Sequence, residues 1–221
     1  MAAGPGSLDT FPKLLLEHAR VRPARPAIRE KDLGIWQTWT WARFADEVRA
    51  LACGLAAHGL KRGAHIALVG DNRPRIYAGI AAAQCLGAIP VPLYQDAVAA
   101  EMAFPIENAE IRHAIVEDQE QVDKLLEILP QCPQLEHVYY DDPRGLRHYS
   151  HKVLSSYDSL LEAGRDLLSR DPAFLDAEIA KGRASDTAAM FFTFGTTGVP
   201  KVVVLTHVGL SDRSLTITEW E

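Results

Sequence analysis

The segment Phe191–Lys201 combines the residue types that bind a phosphate group. It follows a short apolar run and precedes another, Val202–Leu205. Its candidate ligands are Thr193, Gly195, Thr196, Thr197, Gly198 and Lys201. Glycines let backbone N–H groups approach an anion closely, threonine hydroxyls donate hydrogen bonds to phosphate oxygens, and the lysine ammonium neutralises charge. We therefore predict a phosphate-binding loop.

The spacing of this loop differs from that of a P-loop nucleoside triphosphatase. In that motif a glycine is joined directly to the lysine, and Ser or Thr follows. Here Val199 and Pro200 separate Gly198 from Lys201, and Val202 follows. The same residue types also make up ordinary solvated turns. Residue chemistry alone thus leaves two readings open, a phosphate loop of another kind and a surface turn.

Strands and helices alternate ahead of the loop. Apolar spacing predicts helices over 8–20, 41–58, 75–86, 119–129 and 157–168, a helical linker over 171–184, and a helix after His207. Strands are predicted over 27–30 and 35–39, which form a hairpin, and over 66–69, 89–93, 113–116, 135–140 and 188–193. The hairpin turn is predicted over 31–34 with Gly34 at positive φ, and Thr40 is predicted to cap the helix that follows. Residues 141–156 are predicted to be a loop. This order predicts an α/β fold with a mainly parallel sheet and flanking helices.

Composition limits which kinds of partner and cellular location are expected for this protein. The 221 residues carry a formal net charge of −6, which does not favour binding to nucleic acid. Neither a signal peptide nor an apolar run of about eighteen residues is present, so we expect a cytoplasmic protein that touches membranes at most peripherally. The three cysteines, Cys53, Cys85 and Cys132, are widely spaced and predicted to be buried free thiols. No metal-ligand pattern is seen.

The loop resembles the signature of the adenylate-forming (AMP-binding) family, Thr-Ser-Gly-Thr-Thr-Gly-x-Pro-Lys-Gly followed by Val-Val and Thr-His. The matching residues are Thr193, Gly195, Thr196, Thr197, Gly198, Pro200, Lys201, Val203, Thr206 and His207. Upstream segments are similar to long-chain acyl-CoA synthetases in their order: 39–41, 54–55, 60–63, 72–74, 87–88 and 91–94. The resemblance spans nearly the whole chain.

The resemblance implies a two-step ligase reaction. A carboxylate, here expected to be a fatty acid, attacks the α-phosphorus of ATP with Mg²⁺, and the thiol of coenzyme A then displaces AMP. The loop would hold the β- and γ-phosphates. Residues 1–221 would be an incomplete N-terminal part of the large domain, inactive alone, with the sites for Mg²⁺ and coenzyme A and the small C-terminal domain lying elsewhere. Two alternatives stay open: another branch, such as an aryl-acid ligase or amino-acid adenylation domain, and a non-catalytic module.

Two positions depart from the family pattern. Phe194 replaces serine, which removes a hydroxyl donor, and Val202 replaces glycine, where we expect a side chain to be strained if the backbone needs a positive φ. Three other features are interpreted as structural. His207 is read as a helix-entry residue, the tryptophans at 36, 39 and 41 as hairpin packing, and the carboxylates at 117, 118, 120, 141 and 142 as solvated.

Overall fold

The computed structural model describes residues 8–193 and 201–218. Its helices are α1 Phe11–Val21, α2 Trp41–Ala57, α3 Pro74–Cys85, α4 Ala99–Asn108, α5 Gln119–Ile128, α6 Tyr157–Arg170, α7 Phe174–Ala180 and α8 His207–Thr218. Its strands are β1 Pro26–Asp32, β2 Ile35–Thr40, β3 His65–Val69, β4 Ile89–Leu93, β5 His113–Val116, β6 His137–Tyr140, β7 Leu154–Ser156, β8 Thr187–Thr193 and β9 Lys201–Thr206. The predicted α/β class is confirmed.

Five parallel strands form the central sheet, in the order β4-β3-β5-β6-β7. Successive residues of a strand point to opposite faces, so Ile66 and Leu68 pack with α1, α2, α3 and α6, whereas Ala67 and Val69 pack with α4 and α5. Burial on both faces explains why these strands read as nearly continuous apolar runs. The three cysteines are buried free thiols, as predicted.

Helices α2 and α6 pack at very short range on one face of the sheet. A Cβ at Gly54 would lie 2.0 Å from the carbonyl oxygen of Leu160, and a Cβ at Gly164 would lie 1.7 Å from that of Ala50. Both contacts are far inside van der Waals distance, so only glycine fits at either position. The two glycines let the helix backbones touch and hold α6 against α2.

The β1–β2 hairpin lies outside the central sheet. Leu33 and Gly34 form its two-residue turn with φ of 47° and 81°, which confirms the predicted turn. Thr40 caps α2, as predicted, because its hydroxyl accepts the Arg43 N–H. Trp39 is buried, and the Arg43 guanidinium lies 4.0 Å from its ring centre. The packing interpretation is wrong for Trp36, which is 65% exposed.

The structure differs from the sequence prediction in several elements. Helix α4 occupies a segment for which no element was predicted, since Pro105 interrupts its pattern. The predicted loop 141–156 contains β7, a three-residue strand that exists because Leu154 pairs with Val138 of β6. Helix α1 begins after Thr10, whose side chain caps it, and the linker 171–184 is helical only over α7. These short elements depend on tertiary pairing and capping rather than on local apolar spacing.

Candidate functional site

The predicted phosphate loop connects the antiparallel strands β8 and β9. Thr193 ends β8 and pairs directly with Lys201, the first residue of β9. The Thr193 hydroxyl donates to the Lys201 carbonyl oxygen at 3.4 Å, and both residues are exposed. Thr193 and Lys201 therefore stand side by side at the mouth of the loop. Residues 194–200, which include Phe194, Gly195, Thr196, Thr197 and Gly198, lie outside the described residues, so their assignments stay predictions.

Strand β8 is anchored to the body of the protein from both sides. Phe192 is buried and meets Phe104 of α4 edge-on, with ring centres 6.1 Å apart. The Gln84 side-chain amide of α3 donates to the Ala188 carbonyl at 2.8 Å. These two contacts fix β8, and with it Thr193, relative to the central sheet. Thr193, on this fixed strand, therefore presents its hydroxyl from a defined position.

Lys201 carries the charge at this mouth. Within the described part of the chain, no carboxylate forms an ion pair with its ammonium group. Most other cations near the sheet are already paired; Arg73 with Glu117 at 2.7 Å and Arg75 with Asp141 at 2.5 Å are examples. An exposed lysine that lies beside a threonine hydroxyl and forms no ion pair with a described carboxylate is suited to bind an anion from solution.

An apolar cavity of about 400 Å³ adjoins the mouth of the loop. Its walls come from the end of β4 and the two hairpin strands: Pro92, Leu93, Tyr94, Phe191, Phe192, Thr193 and Val203. Tyr94 is 69% exposed and forms part of the rim. The cavity thus offers an apolar surface that reaches Thr193, a combination typical of small-molecule sites.

Val202 adopts an extended conformation in β9, opposite Phe192. Among the described residues, positive φ at a non-glycine position occurs at Leu33 and Glu110. The backbone at Val202 therefore does not need a positive φ, and the strain that such a conformation would cause is absent. A β-branched side chain favours the extended backbone of a strand, and the Val202 side chain is 44% exposed.

His207 has a structural position at the start of α8. It is 5% exposed, and its Nδ1 accepts the Phe11 N–H at 3.4 Å. Burial lowers the pKa of its imidazole, which favours the neutral form that accepts this bond. The contact joins α8 to α1 and supports the helix-entry interpretation.

The carboxyl edge of the central sheet holds a second group of charged residues. The strand order reverses between β3 and β5, where open α/β sheets bind ligands. Glu117 fills this place: its carboxylate accepts the Asp71 N–H at 2.5 Å and the Arg73 Nε–H at 2.7 Å. Glu117 and Asp141 are thus paired with arginines, and the prediction that they are solvated was wrong. Asp118 caps α5 and confirms helix-start charge.

The described residues contain no group of three side chains suited to hold a metal ion. Nor does any helix among them have the length and apolarity needed to cross a bilayer.

Comparison with known proteins places the chain in a family. The profile of the AMP-binding enzyme family matches residues 15–220. The chain belongs to this family. It is 28% identical over 205 residues to the long-chain-fatty-acid–CoA ligase FadD15 of Mycobacterium bovis, covering 93% of this chain and 32% of the relative. It is 29% identical over 206 residues to the long-chain-fatty-acid–CoA ligase ACSBG2 of Mus musculus, covering 92% and 30%.

The fold agrees with this membership. The crystal structure of the anthranilate CoA ligase AuaEII, in complex with anthranoyl-AMP, superimposes with a TM-score of 0.74 at 20% identity, covering 90% of this chain and 35% of that one. At that identity the likeness concerns the fold alone. The chain spans about a third of the length of the curated relatives that it matches.

Proposed function

We propose that this chain is the N-terminal part of an ATP-dependent acyl-CoA synthetase that acts on long-chain fatty acids. The observation that carries the proposal is the placement of Thr193 beside Lys201 at the mouth of the 194–200 loop. The family match and the two fatty-acid ligases above support it. The choice of a long-chain acid rests on those relatives, and the apolar cavity beside Thr193 is compatible with it.

The loop acts on the leaving group of the proposed first step. Carboxylate attack at the α-phosphorus of ATP expels pyrophosphate, on which negative charge grows as the P–O bond breaks. The Thr193 hydroxyl, the Lys201 ammonium and the amides of residues 194–200 would stabilise that charge, which is electrostatic catalysis. Thr193 and Lys201 fit this role because they are exposed and adjacent, and Lys201 forms no ion pair with any described carboxylate.

Other parts of the reaction need groups beyond these residues. The described residues offer no cluster of histidine, cysteine or carboxylate side chains for Mg²⁺, and we place that site outside them. Coenzyme A would supply the thiol of the second step from a site that we place outside this chain. Attack at phosphorus requires the two atoms within about 3–3.5 Å in line, which a contact to one end of ATP does not achieve. We therefore propose that residues 1–221 bind MgATP weakly and form no acyl-adenylate alone.

Titration of the purified chain with MgATP tests the phosphate loop. Lys201→Ala should weaken binding by about tenfold or more, because a charge-assisted contact is lost. Lys61→Ala is the matched control, since Lys61 is an exposed lysine in a turn outside the hairpin. Equal affinities of the wild type and Lys201→Ala would contradict the loop's role.

ATP–pyrophosphate exchange tests the rest of the proposal. The chain should show no exchange above its Lys201→Ala variant with fatty, aryl or amino acids. Exchange with a fatty acid alone would mean that a full active site exists in this chain. Exchange with an aryl or amino acid would instead assign the protein to another branch of the family.

A further inference from the structure

The tip of the β1–β2 hairpin, residues 31–36, exposes three large apolar side chains. Leu33 is 93% exposed, Trp36 65% and Ile35 64%. All residues from 31 to 38 are exposed, so the tip extends beyond the body of the protein, whereas Trp39 at the base is buried. Isolated apolar residues on a surface are common, but here three lie at one projecting turn, with Ile35 and Trp36 on opposite faces of the hairpin.

The turn places Leu33 in a backbone conformation that is unfavourable for a leucine. Leu33 has φ 47°, in the left-handed region where a bulky side chain costs about 1–2 kcal/mol. Asparagine or glycine normally occupies this position of a two-residue hairpin turn. Leu33 therefore neither relieves strain nor fills the core. Its side chain is available for contact with something outside the described residues.

Cations lie on the same side of the hairpin as Trp36. Lys31 is the cross-strand partner of Trp36, and Arg29 is two residues away on the same face. Within the described part of the chain, neither cation forms an ion pair. An indole ring flanked by lysine and arginine is the combination found at the boundary between headgroups and acyl chains of a bilayer.

A recess of about 360 Å³ separates this face from the start of α3, and its wall includes Arg29, Lys31, Trp36 and Arg73. Two carboxylates also line it. Glu30 lies 3.9 Å from Arg73, and Asp71 accepts a hydrogen bond from Gln95 at 2.7 Å. Glu30 thus lies near a cation, whereas Asp71 bonds to a neutral amide and keeps its negative charge. Arg29 and Lys31 are cations of this face that form no ion pair within the described part of the chain.

We propose that the β1–β2 tip docks on a membrane surface containing anionic lipids. Leu33, Ile35 and Trp36 enter the interface between headgroups and acyl chains, and Arg29 and Lys31 contact lipid phosphates. Asp32, at the start of the turn, opposes this attraction. The exposed Trp36 indole next to Lys31, with Arg29 on the same face, favours a lipid surface over a protein partner.

Sedimentation of the purified chain with vesicles tests the inference without ATP or fatty acid, so it stands apart from the proposed function. The chain should bind phosphatidylcholine–phosphatidylglycerol vesicles better than phosphatidylcholine vesicles, and salt should weaken that binding. Leu33→Asn should reduce the partition coefficient about tenfold. Arg29→Gln with Lys31→Gln should remove the preference for anionic vesicles, and Asp32→Asn should strengthen binding.

Leu33→Asn also controls for folding, because asparagine tolerates the left-handed conformation and its melting temperature should not fall. Val204→Thr changes an exposed apolar residue on β9 and should leave binding unchanged. Equal binding of the wild type and Leu33→Asn would overturn the proposal. An equal loss in Val204→Thr would mean general adhesion of exposed apolar surface. A dimer that depends on Leu33, without vesicle binding, would mean a protein contact instead.

Discussion

The charged groups at the carboxyl edge of the central sheet are paired with one another, whereas those at the mouth of the β8–β9 hairpin are exposed. At the sheet edge, the Glu117 carboxylate accepts hydrogen bonds from Arg73 and from the Asp71 backbone N–H, and Asp141 pairs with Arg75. At the hairpin, Thr193 and Lys201 are exposed, and Lys201 has no ion pair with any described carboxylate. The difference indicates that the usual ligand position of a parallel sheet serves stability here, because the protein's own carboxylate occupies it. This contrast supports our proposal that anions bind at the separate hairpin.

This division predicts that substitutions in the sheet and its helices change stability, whereas substitutions in the hairpin change binding. The sheet layers are closely packed, and their polar groups are largely satisfied internally. The hairpin strand β9 instead leaves Val202, Val203 and Val204 partly exposed. Each prediction below tests one side of the comparison.

Gly54→Ala should have the largest effect. The added Cβ would overlap the Leu160 carbonyl oxygen, 2.0 Å away, so α2 and α6 must separate. We expect a loss of about 3 kcal/mol in the free energy of unfolding, measured by urea denaturation. Gly209→Ala, in α8, is the control and should stay within about 1 kcal/mol. Equal stabilities of the two variants would refute close packing of α2 on α6.

Glu117→Gln should destabilise the sheet edge by about 2 kcal/mol, because Arg73 and the Asp71 amide lose a charged acceptor. The hydrogen bond to Glu117 also raises the pKa of Arg73, as expected for an arginine that pairs with a carboxylate. MgATP affinity should stay within about twofold, since the loop is untouched. Glu120→Gln, at an exposed position of α5, is the control. A large change in affinity would mean that the sheet edge takes part in nucleotide binding.

Stability should fall in acid because of His113. It is 4% exposed, and burial, followed by the charges of His137 and Arg112, lowers its pKa to about 4. His58 acts in the same direction, and Glu136 opposes it. The unfolded state, with a pKa near 6.5, binds the proton more readily, so stability is full above about pH 6.5 and declines towards pH 4.

The expected loss from pH 7 to 5 is about 1–2 kcal/mol. Thermal unfolding at the two pH values measures it. His113→Gln should flatten the dependence, whereas His148→Gln, at an exposed position, should leave it intact. A slope unchanged in His113→Gln would assign the acid sensitivity to other groups.

Val202→Gly should have the smallest effect. Val202 is extended and partly exposed, so glycine relieves no strain and costs about 1 kcal/mol of strand stability. MgATP affinity should change little, whereas Phe194→Ser, which adds a hydroxyl donor, should increase it. Val202→Thr keeps the branched shape and serves as control. Tighter MgATP binding in Val202→Gly alone would restore the idea that this position needs glycine.

Local patterns in the sequence were sufficient for much of the fold. Alternating apolar runs and helical spacing identified β3, β4, β5 and β6 and the helices α2, α3, α5 and α6, because each element buries a regular face. The turn at Gly34 and the cap at Thr40 followed from residue types whose conformations are restricted. The phosphate-loop assignment from Thr193 to Lys201 rests on the match of its spacing to the family signature and stays a prediction.

Only the tertiary structure decided how these elements meet. It paired β8 with β9, which made Val202 an ordinary strand residue and set Thr193 beside Lys201. It also buried Trp39 and exposed Trp36, although both lie in β2. Likewise, Glu117 is distant in sequence from Arg73, and only the parallel alignment of β3 and β5 brings them together. Spacing along the chain encodes which face a residue takes, whereas its neighbour on that face depends on contacts between distant segments.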